Sequence, residues 1–201
     1  MVADGDISQL VNDVEAIRQA FGGLENIDRY VALLKKYEEE QERPKRVSIV
    51  VFSGDYDKVL PAFIIANGAR AMEMEVNMYF TFWGLKTLQR HGKRPDGTNP
   101  INQMLHYVLP GGPEGAKLSH LNMFGLGKYM ITWLMKKNNI LLLDDQIQLA
   151  YEQGVNIQAC TLAMRIFGMK QGEDFNPVVT DYVGVATYLG NAANSDITLF
   201  I

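Results

Sequence analysis

Val47-Ser48-Ile49-Val50-Val51-Phe52-Ser53-Gly54-Asp55 is the stretch that decides the fold. Its first six residues form a β-branched apolar run, the pattern of a buried parallel strand. Ser53-Gly54-Asp55 makes a turn, and Asp55 is placed to cap a helix running to about Met72. Pro61 falls near enough to the first turn of that helix to be tolerated. Glu75 to Phe82 reads as a second strand, and Trp83-Gly84-Leu85-Lys86 leaves it into a short helix. Strand, helix, strand is a βαβ unit, for which a right-handed crossover is expected.

Downstream, residues 91 to about 120 break the alternation. Pro95, Pro100, Pro110 and Pro113 lie there with Gly92, Gly97, Gly111, Gly112 and Gly115. A loop this long inside a compact domain is usually functional, and Met104, Leu105, Tyr107, Val108 and Leu109 make it too apolar for a plain linker. Leu121 to Gly127 leads into a helix carrying Met130, Ile131, Leu134 and Met135 and ending near Asn138-Asn139. Asp144 is read as the cap of the next helix, with Gly154 as its C′ glycine. Val155 to Ala159 is the next strand, with Cys160 directly after it. Leu162 to Phe167 is a short helix stopped by Gly168, and Val178-Val179 is read as a strand fragment. Gly184 to Ala193 is helical, and Asp196 to Ile201 is a last strand. The expectation is an open α/β sheet, mainly parallel, of about five strands with helices on both faces.

Upstream, apolar residues at Ile7, Leu10, Val11, Val14, Ile17 and Phe21 share one helical face. Asp6 and Gln9 resemble a capping box. After Gly22-Gly23, Leu24, Ile27, Tyr30, Val31, Leu34 and Tyr37 make a second stripe, ended by the charged run from Glu38 to Pro44. Residues 1–44 therefore read as a helical arm before a domain at 45–201. The arm's stripes pack on its own domain or on a neighbouring subunit, or dock a partner.

The 201 residues are 47% hydrophobic and 21% charged, a globular balance with a sizeable core. The net charge of -4 favours neither nucleic acid nor an anionic membrane surface. No apolar run approaches the roughly 18 residues of a spanning helix. The start, Met-Val-Ala-Asp-Gly-Asp, lacks the basic and apolar regions of a signal peptide. A single cysteine permits no intramolecular disulfide and no Cys-Cys metal site, and with that start it points to the cytoplasm.

Several chemistries have no motif here. G-x-G-x-x-G, the Walker loop, G-x-S-x-G and H-E-x-x-H are all missing. His91, His106 and His120 have spacings that fit no ligand pair, so no metal site is expected. Asp55, Asp57, Asp144 and Asp145 read as helix-terminal acids. The ten methionines either fill irregular core gaps or form an adaptable apolar wall or subunit interface.

Cys160 is the informative position. It lies between the carboxyl end of a strand and the start of a helix, where open α/β sheets build their sites. Unpaired amides and the helix dipole there favour an anion, so a thiolate is stabilised below the free value of about 8.5. The other reading is a buried, inert cysteine.

Residues 45–201 resemble the DsrE/DsrF/DsrH-like family of sulfur-transfer proteins, in particular its longer, Met-rich branch. The resemblance rests on Val47 to Leu60, on Phe80-Thr81-Phe82-Trp83-Gly84-Leu85, and on Leu118 to Gly127. It continues through Ala159-Cys160-Thr161-Leu162-Ala163-Met164-Arg165-Ile166-Phe167-Gly168-Met169, Gly184 to Leu189 and Thr198 to Ile201. It implies a flavodoxin-like three-layer α/β fold, homo- or hetero-oligomers, no bound organic cofactor, and sulfur carried as a persulfide on Cys160.

The functional expectation is a sulfur carrier or sulfurtransferase. Cys160 takes sulfane sulfur from a donor protein or small persulfide and passes it to an acceptor thiol. The amides of Leu162 and Ala163 stabilise the anion, and Thr161 caps the helix or donates to the sulfur. Trp83, His120, Met123 and Met164 are candidate walls of the site. The alternatives are a one-cysteine peroxidase, for which the Thr-x-x-Cys context is missing, and a non-catalytic subunit of a sulfur-relay assembly. A homo-oligomer is expected, with the arm or residues 91–140 at the interface.

Overall fold

In the computed structural model the chain divides into two compact units, Met1–Arg43 and Pro44–Ile201. The structure describes residues 43–90, 99–108 and 111–201, with isolated positions of the first unit at 15–17, 19–20, 22, 29, 31–32 and 35. Apart from Gly22 these isolated positions are helical, and all are exposed, Ile17 and Val31 included. The other stripe residues of the arm, the acidic run after Tyr37, and residues 91–98, 109 and 110, with His91, Pro95 and Pro110, lie outside the described residues.

The second unit has the expected three-layer α/β architecture with a parallel sheet. Strands β1 (Arg46–Val51), β2 (Glu75–Phe80), β3 (Asn156–Cys160), β4 (Asp181–Val183) and β5 (Ile197–Phe200) form one sheet. Every pairing is parallel, and the order is β4-β3-β2-β1-β5. The helices are α1 (Tyr56–Ala71), α2 (Pro100–Val108), α3 (Leu126–Lys137), α4 (Leu143–Glu152), α5 (Thr161–Phe167) and α6 (Val185–Ala193). Three 3-10 turns, at Phe82–Leu88, Pro113–Gly115 and Met123–Gly125, lie between β2 and α3. Among the described residues no helix is long and apolar enough to cross a membrane.

Successive strand residues point to opposite faces, and β2 shows what each face meets. Phe80 packs on Phe63 of α1 at 5.6 Å, and Tyr79 stacks on Tyr188 of α6 at 5.0 Å. Helix α1 is joined to α4 by the buried Asn67 amide, which donates to Gln146 Oε1 at 2.6 Å and to its carbonyl at 3.1 Å. The central strands are buried over most of their length, with Ile49, Val51, Met78, Phe80 and Ile157 all fully enclosed. Their continuous apolar runs follow from that double burial.

Four local readings change. The 91–120 stretch is not all loop, because Pro100 starts α2 instead of breaking structure. Pro is tolerated at the first helical position, and Asn99 Oδ1 accepts the Asn102 N–H at 2.9 Å as the cap. Val178-Val179 is not a strand. Asn176 takes the Val178 N–H on its side chain at 3.2 Å and the Val179 N–H on its carbonyl at 3.1 Å, so that segment turns and β4 begins at Asp181. Asp144 is not the cap of α4: Asp145, one residue on, accepts the Leu142 N–H at 3.4 Å. Pro61 sits in the second turn of α1, not the first.

The segment after α2 is fastened to the sheet's carboxyl end. Tyr56 N–H donates to the Lys117 carbonyl at 2.8 Å, and Ser119 N–H to Asp57 at 2.7 Å. Lys128 of α3 donates to the carbonyls of Glu114 at 2.6 Å, Ala116 at 2.8 Å and Pro113 at 3.4 Å. Its ammonium also lies 5.0 Å from the Tyr56 ring centre.

Two glycines make the crossing of the β1 and β2 exits possible. A Cβ on Gly84 would overlap the Val51 carbonyl, and one on Gly54 would lie 2.6 Å from the Trp83 oxygen. Gly84 N–H donates to the Phe52 carbonyl at 2.8 Å, so the contact is a backbone hydrogen bond with no room for a side chain. We expect Gly84→Ala to destabilise the fold by about 2–3 kcal/mol, lowering Tm by roughly 5–10 °C in a calorimetric scan. An unchanged Tm would show that the crossing relaxes freely.

Candidate functional site

Cys160 is the last residue of β3 and the N-cap of α5, and it is 4% exposed. Parallel register pairs Tyr79 with Gln158 and Phe80 with Ala159. Residues two apart share a face, so Tyr79, Gln158, Thr81 and Cys160 belong to one face, that of α6. Ala159 and Phe80 belong to the other. The thiol thus lies at the carboxyl edge of the sheet, where β2 leaves for the Phe82–Leu88 turn.

Burial pushes the Cys160 thiol up. Four neighbouring polar groups outweigh it: the Tyr79 hydroxyl, the Ala163 N–H, the Thr81 hydroxyl and the Leu162 N–H together hold the thiol below its ordinary value. The Ala163 N–H lies 3.5 Å from Sγ. Each donor stabilises the charged form, and the first turn of a helix has such amides to spare. Tyr79 responds in reverse. Burial raises its hydroxyl most, and the hydrogen bond and charge of Cys160 add to the rise. The Tyr79 oxygen and the Gln158 amide oxygen are both buried without a hydrogen-bond partner. The strip beside the sulfur is therefore polar and incompletely satisfied, which is unusual in a core.

The other expected site residues divide. The amides of Leu162 and Ala163 are among the groups that lower the Cys160 thiol. Thr161 is not the cap of α5, because Cys160 itself occupies the N-cap and Thr161 is the first helical residue. The hydroxyls that act on the sulfur are those of Tyr79 and Thr81, on and just after the neighbouring strand β2. Met164 is buried on α5 at 4% exposure. Trp83 is part-exposed and touches Phe167, at the far end of α5, with ring centres 5.5 Å apart. Met123 and His120 are exposed on the segment tied to α1, and none of the described contacts joins either to Cys160. His106 is instead buried, its Nδ1 against the Lys86 ammonium and its Nε2–H donating to the Phe167 carbonyl at 2.7 Å.

Sequence reasoning missed Tyr79 and Thr81. Their signal was available: both lie on one face of β2, and the register of β2 against β3 brings that face to Cys160. The register depends on tertiary pairing and was not readable from either strand alone.

A group whose folded pKa is depressed is ionised at lower pH than a free one. The rate of iodoacetamide alkylation of Cys160 should therefore rise through a midpoint below about 8.5. Tyr79→Phe and Thr81→Val should each move that midpoint upward and slow the reaction at pH 7 by roughly threefold or more. Midpoints that do not move would remove the two hydroxyls from the account.

The family model described as DsrE/DsrF/DrsH-like matches residues 43–200. The uncharacterized protein YrkE of Bacillus subtilis is 42% identical over 160 residues, covering 80% of this chain and 99% of that protein. The sulfur carrier protein DsrE2 of Allochromatium vinosum is 28% identical over 169 residues, covering 78% of this chain and 98% of its own length. Among solved structures, the ychN protein of E. coli superposes with a TM-score of 0.46 at 12% identity, over 78% of this chain and 99% of that one. With the family model spanning the whole α/β unit and its thiol edge, the chain belongs to the DsrE/DsrF/DrsH-like family.

Proposed function

We propose that this protein is a sulfur carrier that holds sulfane sulfur as a persulfide on Cys160. The observation that carries the reading is one buried sulfur at the carboxyl edge of a parallel sheet, placed as the N-cap of α5 where it accepts the Ala163 N–H at 3.5 Å. Membership of the family, and similarity to a protein named a sulfur carrier, support the broader role in sulfur relay.

The chemistry is an exchange that needs no external oxidant. The Cys160 thiolate attacks the outer sulfur of a donor persulfide, R–S–SH. A new bond forms between Sγ and that sulfur, the donor's S–S bond breaks, and R–S⁻ leaves with the electron pair. The outer sulfur keeps its proton, so Cys160 becomes Cys–S–SH. An acceptor thiolate then attacks the same outer sulfur and Cys160 leaves as thiolate, the first step in reverse. The four donors lower the energy of Cys160 as the attacking thiolate and again as the leaving group. A lone thiol kept reduced suits a reducing compartment, and the reading puts the protein in the cytoplasm.

Partners of two kinds belong to this reading. Sulfur donors and acceptors are persulfide-bearing proteins or small persulfides. The second partner is another copy of the chain. Helix α3 and the turn before it expose Leu121, Met123, Phe124, Tyr129, Met130 and Trp133, each at more than half of its accessible surface. Contiguous apolar surface of this kind marks an interface.

Incubated with polysulfide, the protein should gain one or more sulfur atoms by intact mass, and dithiothreitol should remove them. Cys160→Ala should abolish the gain while leaving the circular dichroism unchanged. A variant that still gains sulfur would exclude Cys160 as the carrier. Rapid turnover of hydrogen peroxide with a thiol reductant would favour the peroxidase chemistry instead. Light scattering at micromolar concentration should report an oligomer, and Tyr129→Glu with Met130→Lys should dissociate it. A parent protein that is already monomeric would refute the α3 interface.

A further inference from the structure

A second polar site lies beside the thiol edge, over the carboxyl ends of β1 and β2. It is a cleft of about 180 Å³, with Ser53, Trp83, Lys86, Thr87, Gly112 and Lys117 among its lining. Cys160 is not among the described lining residues. Two features of the cleft are hard to explain as packing. Lys86 is a buried cation at 6% exposure. Thr87, at 2% exposure, has a buried hydroxyl oxygen with no hydrogen-bond partner. A buried hydroxyl left unmatched costs about 1–3 kcal/mol, and a buried charge costs more unless paired.

The Lys86 ammonium is held from behind. It donates to Gln89 Oε1 at 3.3 Å and to His106 Nδ1, both neutral acceptors. His106 is fixed in turn by its bond to the Phe167 carbonyl, which assigns the ring proton to Nε2. Burial pushes Lys86 down to about 8, with the charge of Asp174 acting against that push. Lys86 therefore remains mostly cationic at neutral pH. The one carboxylate among the described lining residues, Asp55, is engaged elsewhere: its Oδ2 accepts from Ser53 and from Lys58, each at 3.0 Å. Lys117 adds an exposed positive charge to the lining.

The geometry points to a binding site for a small oxyanion in this cleft, anchored by the Lys86 ammonium and the Thr87 hydroxyl. An oxyanion supplies an acceptor for the unmatched hydroxyl and a direct anionic partner for an ammonium whose hydrogen bonds go to neutral groups. The size sets an upper limit on the ligand. Pockets for drug-sized ligands occupy roughly 300–1,000 Å³, so this one suits an ion of a few heavy atoms and not a nucleotide. The site goes beyond the carrier reading and stands without it, because none of its anchoring groups acts on Cys160.

Trp83 lines the cleft and reports on it. The sequence has two tryptophans, so Trp133→Phe leaves Trp83 as the sole indole. In that background thiosulfate, titrated at constant ionic strength against sodium chloride, should change the fluorescence saturably with Kd below about 1 mM. Sulfate and phosphate should compete with it, as expected for recognition of oxyanion charge and shape. Thr87→Val is nearly isosteric, and Lys86→Met keeps the length of the chain. Each should weaken thiosulfate binding by about tenfold or more. Cys160→Ala should bind thiosulfate as the parent does, although it loses the sulfur gain, so the two ideas fail separately. A lack of saturable change would overturn the site. So would equal displacement by chloride, or unchanged affinity in Thr87→Val. The valine variant keeps the test valid should Lys86→Met not fold.

Discussion

The backbone crossing at Gly54 and Gly84 is the constraint on which the rest of the carboxyl edge depends. Two chain segments leave adjacent parallel strands and pass within hydrogen-bonding distance of each other, with no side chain between them. Thr81 is set by the same crossing, since its N–H continues the β1 ladder onto the Val51 carbonyl at 3.0 Å. The next residue, Phe82, is forced to a positive φ of 46°, a conformation that side-chain-bearing residues adopt only under external support. The support comes from Phe52 and Trp83, whose rings flank Phe82 at 5.5 and 6.4 Å. One tight crossing thus aims Thr81 toward the thiol on β3 and directs Trp83, Lys86 and Thr87 toward the cleft.

The thiol itself is a balance of opposed terms. Removing a thiolate from water is unfavourable, and an apolar pocket would leave Cys160 as an inert thiol. Here the pocket is apolar on the α1 side of the sheet and polar on the α6 side. The polar side has the hydroxyls of Tyr79 and Thr81 and two amides from the start of α5, of which the Ala163 N–H bonds the sulfur at 3.5 Å. None of these groups carries a formal charge. The stabilisation is dipolar and arranged in advance, so it needs no partner charge to favour the thiolate.

Much of this was legible in the sequence. The β-branched run at Val47–Phe52, the glycines at 154 and 168, and the position of Cys160 between strand and helix all state local rules, and the local rules held. The places where the sequence misled were places where one residue type serves two purposes. Pro100 looked like a breaker and is a helix starter, because Asn99 precedes it. Val178-Val179 looked like strand, and Asn176 takes its backbone into a turn. Tyr79, Thr81, Lys86 and Thr87 were not legible as a group. What unites them is the register of β2 with its neighbours and the crossing at Gly84, and both arise from contacts between distant parts of the chain.

The strand order also sets the tempo at which this sheet can form. β1 lies inside the sheet, between β2 and β5, but its two neighbours become available at very different times. β2 arrives within one helix. β5 pairs Val47 with Ile197, so the other side of β1 stays open until about 150 more residues exist. A growing chain would carry a long, apolar, unpaired strand edge through most of its synthesis, the kind of surface on which chains associate wrongly. High contact order of this sort slows folding whatever the final stability. Expression temperature and chaperone supply, more than point stability, would then govern the yield of correctly folded molecules.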